Sequence, residues 1–231
     1  MKYTRYNLKR KDKKGITFVV VIFGILILSI LIGAFLLNGS HASSNNGANR
    51  KLVPIKNKSA IRYIAIQGGL YKVKENADET IKILSSYGNP FIITEKDKTM
   101  RVLLGVYSEE EATKKVKILS DKNVVSSKMT FEVPQSDLCD VEIIEIINAN
   151  LQIISNASAK EVSFVQTDEL KKWCLALKEV DSGSKNISTL KDLKKSVNTL
   201  PKELSKDKIS GLYIYIYNTL QKFIIKTAPN I

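Results

Sequence analysis

The chain has 231 residues and a formal net charge of +13. Ten of these net positive charges fall in residues 1–15 and 38–60, on either side of an uncharged apolar segment, so the rest of the chain is close to neutral. A basic surface that would follow a phosphate backbone is therefore not evident, and we expect no nucleic-acid partner.

The first predicted element is a transmembrane helix. Residues 16–37 are 22 residues without a charged side chain. At about 1.5 Å per residue they would form roughly 33 Å of helix, which is enough to cross the hydrocarbon core of a bilayer. A secretory signal peptide is the alternative, but its apolar core would span only about 7 to 15 residues.

Flanking charge predicts the orientation of this helix. The tail, residues 1–15, has seven Lys or Arg and one acidic residue, whereas the fifteen residues after Leu37 have only Arg50 and Lys51. The positive-inside rule then predicts a single-pass protein of the cell membrane, with a cytoplasmic N-terminus and an extracytoplasmic C-terminal region. The basic flanks also make membrane lipid an expected partner.

Residues 38–60 follow as a predicted linker. They begin with the small, polar stretch NGSHASSNNGAN, and they have no apolar period. Such a composition is typical of a flexible segment, which would let the folded part reach away from the bilayer.

Residues 61–133 contain one short pattern twice. The first copy is IQGGLYKVKENADETIKIL, residues 66–84, and the second is LLGVYSEEEATKKVKIL, residues 103–119. Each copy runs from an apolar strand through Gly, one apolar residue and Tyr to an acidic stretch and a helix, whose apolar residues are spaced by four and three and so share one face. The glycines, Gly69 and Gly105, fit a strand-to-helix turn that needs an unusual backbone angle or a close approach.

Two further apolar runs complete the predicted unit. Residues 91–94 follow a Gly-Asn-Pro turn, and residues 124–133 end at Pro134. The predicted order is therefore β-α-β-β-α-β, the split arrangement of ferredoxin-like folds. We expect an α+β domain over residues 61–133.

The same residues resemble the SPOR (sporulation-related) domains of bacterial cell-envelope proteins. The first strand of these domains typically has Gln, then Gly two residues on and an aromatic residue two further on, which match Gln67, Gly69 and Tyr71. Their first helix often begins with Glu-Asn-Ala, which matches residues 75–77. Their third strand typically reads R-V-x-x-G-x-aromatic and is followed by Ser and acidic residues, which matches residues 101–112.

This resemblance implies a ferredoxin-like βαββαβ SPOR domain, preceded by one transmembrane helix and followed by a mainly α-helical region. Members of the family bind peptidoglycan and favour glycan strands stripped of stem peptides, which are enriched where the wall is split at division or sporulation septa. The layout of short tail, span, linker and domain is also similar to that of stage II sporulation B-type proteins. The implied glycan-binding residues are Gln67, Leu70, Tyr71, Arg101, Tyr63 and Leu103.

Strand periodicity predicts which face of the sheet would meet the glycan. With a period of two, Tyr63 lies on the same face as Gln67, and Ile66 lies on the opposite face, which must pack against the helices. Amide and guanidinium groups, as in Gln67 and Arg101, hydrogen-bond sugar hydroxyls and N-acetyl carbonyls. Leu103 would share this open face, although the family often has a polar residue there. An ordinary solvated sheet with a structural Tyr71 is the alternative.

Pro134 marks a second boundary, and residues 134–231 are predicted to form a helical domain. Apolar residues at spacings of three and four predict four helices, near residues 138–154, 168–177, 188–197 and 207–223. Tyr and Ile alternate over residues 213–217, so a strand is the alternative there, although the length of the segment favours a helix. The apolar faces of the four helices could together bury one small bundle core.

No catalytic residue, metal or cofactor is predicted. The single His41 lies in the linker, whereas zinc hydrolases use several His and carboxylate ligands. Residues Glu109–Glu111 are adjacent, unlike the separated carboxylates of a glycosidase. Cys139 and Cys174 lie on apolar helix faces and are either two buried thiols or a disulfide between two helices.

The favoured interpretation is a non-catalytic, membrane-anchored protein that binds peptidoglycan glycan strands. The alternative is an extracytoplasmic scaffold, in which the C-terminal helical domain recruits a cell-wall enzyme or a division or sporulation protein. A ferredoxin-like RNA-binding module is disfavoured, because the domain is predicted to lie outside the cell and aromatic stacking residues are sparse on its central strands.

Overall fold

The computed structural model describes residues 60–159 and 161–224, which belong to one compact unit, Ile55–Ile231. The predicted tail, the predicted membrane helix and the linker up to residue 59 lie outside the described residues. Within the described ranges, no helix combines the length and the apolar character that crossing a membrane requires.

The first part of the described chain is an α+β unit. Its elements are β1 (Ile61–Tyr71), α1 (Lys74–Leu84), β2 (Phe91–Thr94), β3 (Met100–Ser108), α2 (Glu109–Asp121) and β4 (Ser127–Val133). The four strands form an antiparallel sheet in the order β2-β3-β1-β4. The predicted β-α-β-β-α-β order is therefore confirmed, and the long β1 lies between β3 and β4.

Helices α1 and α2 cover one face of this sheet. Ile64 and Ile66 of β1 are buried on that side, as strand periodicity predicted. The equivalent apolar residues of the two repeat copies pack there with them: Ala77, Ile81, Leu84, Ala112, Val116 and Leu119. Helix α2 begins at a capping interaction, because the Ser108 hydroxyl accepts a hydrogen bond from the Glu111 backbone N–H.

The repeated Gly-x-Tyr pattern produces the same local structure twice. A β-carbon on Gly69 would overlap the hydroxyl of Tyr71, and one on Gly105 would overlap that of Tyr107. Each tyrosine hydroxyl lies near the carbonyl oxygen of the residue before its glycine, at 3.5 Å in the first copy and 3.3 Å in the second. Neither glycine has a positive φ, so the close approach of the ring, and not an unusual backbone angle, explains both glycines.

The C-terminal part is mainly helical. Its elements are α3 (Leu138–Ser158), β5 (Phe164–Gln166), α4 (Asp168–Leu175), α5 (Ile187–Asn198), β6 (Glu203–Ser205) and α6 (Ile209–Leu220), with a 3-10 turn before and after α6. The four predicted helices are confirmed, and residues 213–217 are helical. The antiparallel β5–β6 ribbon was not predicted, because strands of three residues are too short to show a period.

These helices do not bury a separate bundle core, and the sequence-based expectation was wrong on this point. They pack on the face of the sheet that α1 and α2 leave free, and one core joins them to seven sheet residues: Tyr63, Ala65, Phe91, Leu103, Val106, Phe131 and Val133. Helix α3 explains why, since 12 of its 21 residues are buried and it therefore needs apolar partners on more than one side. The sheet is thus the middle layer between two layers of helices.

Helix α3 is also tied to α5 by polar contacts. Lys194 Nζ lies 2.8 Å from Glu142 Oε2, and Asn186 Nδ2 donates to Asp140 Oδ1 at 2.6 Å. Both acidic side chains are buried, so these partners offset the cost of removing carboxylates from water.

Candidate functional site

Two of the predicted glycan-binding residues are buried beneath the C-terminal helices. Tyr63 is 1% exposed and Leu103 is 0% exposed. Their predicted face is confirmed, because both lie on the side opposite Ile66. The expectation that this face is open was wrong for these two residues, because α3 and α6 occupy it and exclude a ligand from both side chains.

The Tyr63 side chain has a structural role in this packing. Its hydroxyl donates to Asn148 Oδ1 at 2.8 Å and lies 3.3 Å from the Ile144 carbonyl oxygen. Burial raises the pKa of Tyr63 well above its usual range, so the hydroxyl stays protonated and continues to donate. Tyr63 therefore fastens α3 to the centre of the sheet.

Gln67 and Arg101 lie close together on the same face of the sheet as Tyr63 and Leu103. They are at one end of that face, which the helices leave accessible. Arg101 Nη1 donates to Gln67 Oε1, and Arg101 Nε donates to Glu95 Oε1 at 2.6 Å. Met129 Sδ lies 3.6 Å from Arg101 Nη1. We call Gln67, Leu70, Glu95, Arg101 and Met129 the sheet-end cluster.

A β-bulge places Leu70 in this cluster. Gln67 pairs with Leu103 and Leu70 pairs with Arg101, while Gly68 has no partner in the register. Directly paired residues share a face, so the extra residue puts Gln67 and Leu70 on one face, although regular alternation would separate them. A β-carbon on Gly68 would lie 2.7 Å from Leu84 Cδ1, which explains why glycine occupies the bulge.

The sheet-end cluster combines apolar and polar groups near the end of α6. Leu70 is 47% exposed, whereas the Arg101 side chain is 19% exposed and held by its two oxygen partners. Burial raises the pKa of Tyr217 in α6, and this residue is near enough to Arg101 for the positive charge to oppose that shift. The ring of Tyr217 packs edge-on against Phe131, with centroids 5.8 Å apart. The cluster is thus a preformed array of hydrogen-bond donors and acceptors that also contains one exposed apolar side chain, Leu70.

Tyr71 does not belong to this cluster. It pairs with Met100 and packs with the core beneath α1 and α2, on the opposite face from Arg101. Its hydroxyl accepts a hydrogen bond from Thr80 Oγ1 at 2.7 Å. These contacts support the alternative in which Tyr71 is a structural residue at the turn.

A second candidate site, a cleft that the sequence did not predict, lies between α2 and α3 at the other end of β3. This cleft has a volume of about 510 Å³. Its lining includes the polar residues Asn89, Ser108, Asn148, Gln152, Ser155 and Ser158. The rings of Tyr107 and Tyr213 also line it, with centroids 6.5 Å apart. We call it the α2–α3 cleft.

Three charged residues of the described chain line the α2–α3 cleft: Glu111, Lys114 and Lys115. Lys114 Nζ lies 2.6 Å from Glu110 Oε1, and Glu111 accepts a hydrogen bond from Ser108 at 3.3 Å. Lys115 Nζ lies 5.0 Å from the centre of the Tyr107 ring. The cleft therefore presents amide and hydroxyl groups together with one carboxylate and one ammonium group that are not ion-paired with any described residue.

No group of three or more His, Cys, Asp and Glu side chains could hold a metal ion among residues 60–159 and 161–224. Cys139 and Cys174 are free and buried, which agrees with the interpretation as two buried thiols. Burial raises the pKa of Cys139 to about 11 and also raises that of Cys174, so both thiols are protonated near neutral pH.

No protein-family model matches the sequence, and neither the curated proteins nor the solved structures give a match. The resemblance to SPOR domains therefore remains an interpretation of the residues and their spacing.

Proposed function

We propose that this chain is a non-catalytic, membrane-anchored protein of the SPOR type, which binds peptidoglycan at division or sporulation septa. The ligand would be glycan strands stripped of their stem peptides. The observation that carries the proposal is the accessible sheet-end cluster, in which Gln67 and Arg101 are hydrogen-bonded to each other on the predicted face. The β-α-β-β-α-β order and the doubled Gly-x-Tyr pattern support it.

The cluster suits a sugar polymer for two reasons. The amide of Gln67 and the guanidinium of Arg101 both offer donors to hydroxyl and N-acetyl oxygens. Leu70 is exposed next to them and can cover the apolar side of a sugar ring. Because α3 and α6 cover Tyr63 and Leu103, the glycan footprint would be confined to this end of the sheet.

The direct test is a pull-down of the full chain, in detergent, with purified peptidoglycan sacculi. One portion of the sacculi is treated with an amidase that removes the stem peptides, and the other is left intact. We expect more chain to sediment with the treated sacculi. Equal sedimentation with both would contradict the preference for stripped strands, and no sedimentation would contradict the function.

A scaffold function is the alternative, and a groove between α5 and α6 favours it. The groove has a volume of about 590 Å³, and Asp192, Lys195, Tyr215, Asn218 and Lys222 contribute to its lining. A cell-wall enzyme or a division or sporulation protein would dock there through charged and polar contacts. Charge reversal at Lys195 should then reduce septal recruitment of such a partner while leaving sedimentation with sacculi unchanged.

A further inference from the structure

One side of helix α3 carries polar side chains that the fold uses only in part, through the bond from Tyr63 to Asn148. Asn148, Gln152 and Ser155 follow one another at spacings of four and three, so they share one face of a helix that is otherwise largely apolar and buried. Within the described residues, the side chains of Gln152 and Ser155 have no hydrogen-bond partner. Asn148 uses its carbonyl oxygen for Tyr63, which leaves its NH₂ group to donate elsewhere.

These three residues face a cavity that has the size of a ligand site. At about 510 Å³, the α2–α3 cleft falls within the roughly 300–1,000 Å³ range of small-molecule pockets. One end of it is fixed by a contact between distant parts of the chain, because Asn89 Nδ2 donates to Ser158 Oγ at 2.6 Å. The cleft is therefore held in shape by the fold before any ligand enters.

The lining indicates a ligand rich in hydroxyl and amide groups. Amide side chains donate and accept at once, and hydroxyls do the same, so an array of both matches sugar hydroxyls and acetamido groups better than it matches a phosphate. The rings of Tyr107 and Tyr213 supply apolar surface at the base. Lys115 adds one positive charge and Glu111 one negative charge, so the cleft suits a neutral ligand.

We propose that the α2–α3 cleft is a second saccharide site, which binds an N-acetylated amino-sugar unit. The choice of an amino sugar over other polar ligands rests on the proposed peptidoglycan function. Gln152 and the NH₂ group of Asn148 donate to the ligand, and Ser155 lies at the cleft wall. The site is separate from the sheet-end cluster, because Ser108 and Arg101 are seven residues apart on β3, which is roughly 23 Å along an extended strand.

The test uses the full chain in detergent and two defined probes in titration calorimetry. Chitotetraose has an acetamido group on each sugar. Cellotetraose is the equivalent β-linked tetrasaccharide with a hydroxyl group in that position. We expect chitotetraose to bind and cellotetraose to bind at least tenfold more weakly. Gln152→Ala should weaken chitotetraose binding roughly fivefold, which is the effect of one lost neutral hydrogen bond.

A steric block gives a stronger readout with a matched control. Ser155 is exposed at the cleft wall, so Ser155→Trp should fill the cleft and reduce chitotetraose binding at least tenfold. Ser120→Trp adds the same ring on an exposed position of α2 outside the cleft, and it should bind as the parent does. Melting temperatures of both variants, together with the milder Gln152→Ala, separate loss of the site from loss of the fold.

The outcomes distinguish this site from the proposed function. If the parent sediments with sacculi but Ser155→Trp and Gln152→Ala both keep parental affinity for chitotetraose, the cleft proposal is wrong and the peptidoglycan function stands. If the parent binds cellotetraose as well as chitotetraose, acetamido recognition is wrong. If the parent sediments with sacculi but does not bind chitotetraose, the cleft proposal alone is wrong. If it binds neither, both proposals are wrong.

Discussion

The Tyr63 hydroxyl donates a hydrogen bond to Asn148 Oδ1 at 2.8 Å, and this bond joins the central strand of the sheet to the longest helix of the C-terminal part. Tyr63 is buried, whereas Asn148 is exposed at the α2–α3 cleft. The contact therefore links the covered part of the sheet face to a surface that remains open.

Tyr63→Phe removes this hydrogen bond without creating a cavity. We expect the free energy of unfolding to fall by about 1–2 kcal/mol, because the Asn148 carbonyl can still reach water. Urea denaturation followed by circular dichroism measures the change. A change within error of zero would show that the bond does not fasten α3 to the sheet.

Deleting residues 135–231 tests whether the sheet depends on its helical cover. The deletion would expose the large apolar residues Phe91, Leu103 and Phe131 on one face. Contiguous apolar surface of this kind promotes association, so we expect the shortened chain to form oligomers and to bind a hydrophobic dye. Sedimentation velocity in detergent measures this, with the full chain as control. A monomer with the parental melting temperature would contradict the shared core.

The two Gly-x-Tyr copies should respond differently to the same substitution. In Gly105→Ala the new methyl group would overlap Tyr107, whose ring is held by Tyr213 and cannot move aside, so we expect a loss of about 1–3 kcal/mol. In Gly69→Ala the half-buried Tyr71 can swing toward solvent, so the loss should be smaller. Chemical denaturation of both variants gives the comparison, and a reversed order would contradict the assigned ring positions.

High pH should unfold the protein together with ionisation of its buried tyrosines. Burial raises the pKa of Tyr213 to about 12 and raises those of Tyr63 and Tyr107 further. Because the folded pKa lies above the unfolded value of about 10, this contribution to stability is fully present below pH ~10 and is lost as the pH rises toward and through the folded pKa.

Absorbance at the phenolate band and circular dichroism, recorded on one pH series, test this expectation. The exposed tyrosines should ionise first, and the buried ones should ionise in a step that coincides with loss of structure. Complete ionisation of all tyrosines near pH 10 with the fold retained would contradict their burial.

The repeat allowed the sheet topology and its two faces to be predicted, because Gly-x-Tyr and the helix stripes recur at matching positions. The packing of the C-terminal helices against the sheet was not predicted, and there is a physical reason for this. In α3, Ile143, Ile146 and Ile153 form apolar positions beyond the stripe used to predict the helix, and this excess indicated burial on more than one side. It could not indicate which surface would provide the second side.

The candidate site was predicted only in part. Gln67 and Arg101 were placed together by strand alternation, but the bulge at Gly68 moved Leu70 onto their face and left Tyr71 on the other. A Gly-Gly pair inside a strand is a signal for such a bulge. The α2–α3 cleft had no local signal, because its lining comes from four segments that are distant in sequence: residues 88–89, 106–115, 148–158 and Tyr213.

Glycan binding by Gln67, at the accessible end of the sheet, can be tested by comparing three variants. Gln67→Ala should cost only about 0.5–1.5 kcal/mol of stability through its lost bond to Arg101. Ile66→Ala, one residue earlier and fully buried, should cost about 2–5 kcal/mol through a core cavity. Gln166→Ala, on the β5–β6 ribbon, is the matched amide control.

The measurement is the sedimentation of these three variants with amidase-treated sacculi, at a temperature where each is folded. We expect Gln67→Ala to bind several-fold more weakly than the parent, while Ile66→Ala and Gln166→Ala bind as the parent does. Parental binding by folded Gln67→Ala would contradict this expectation.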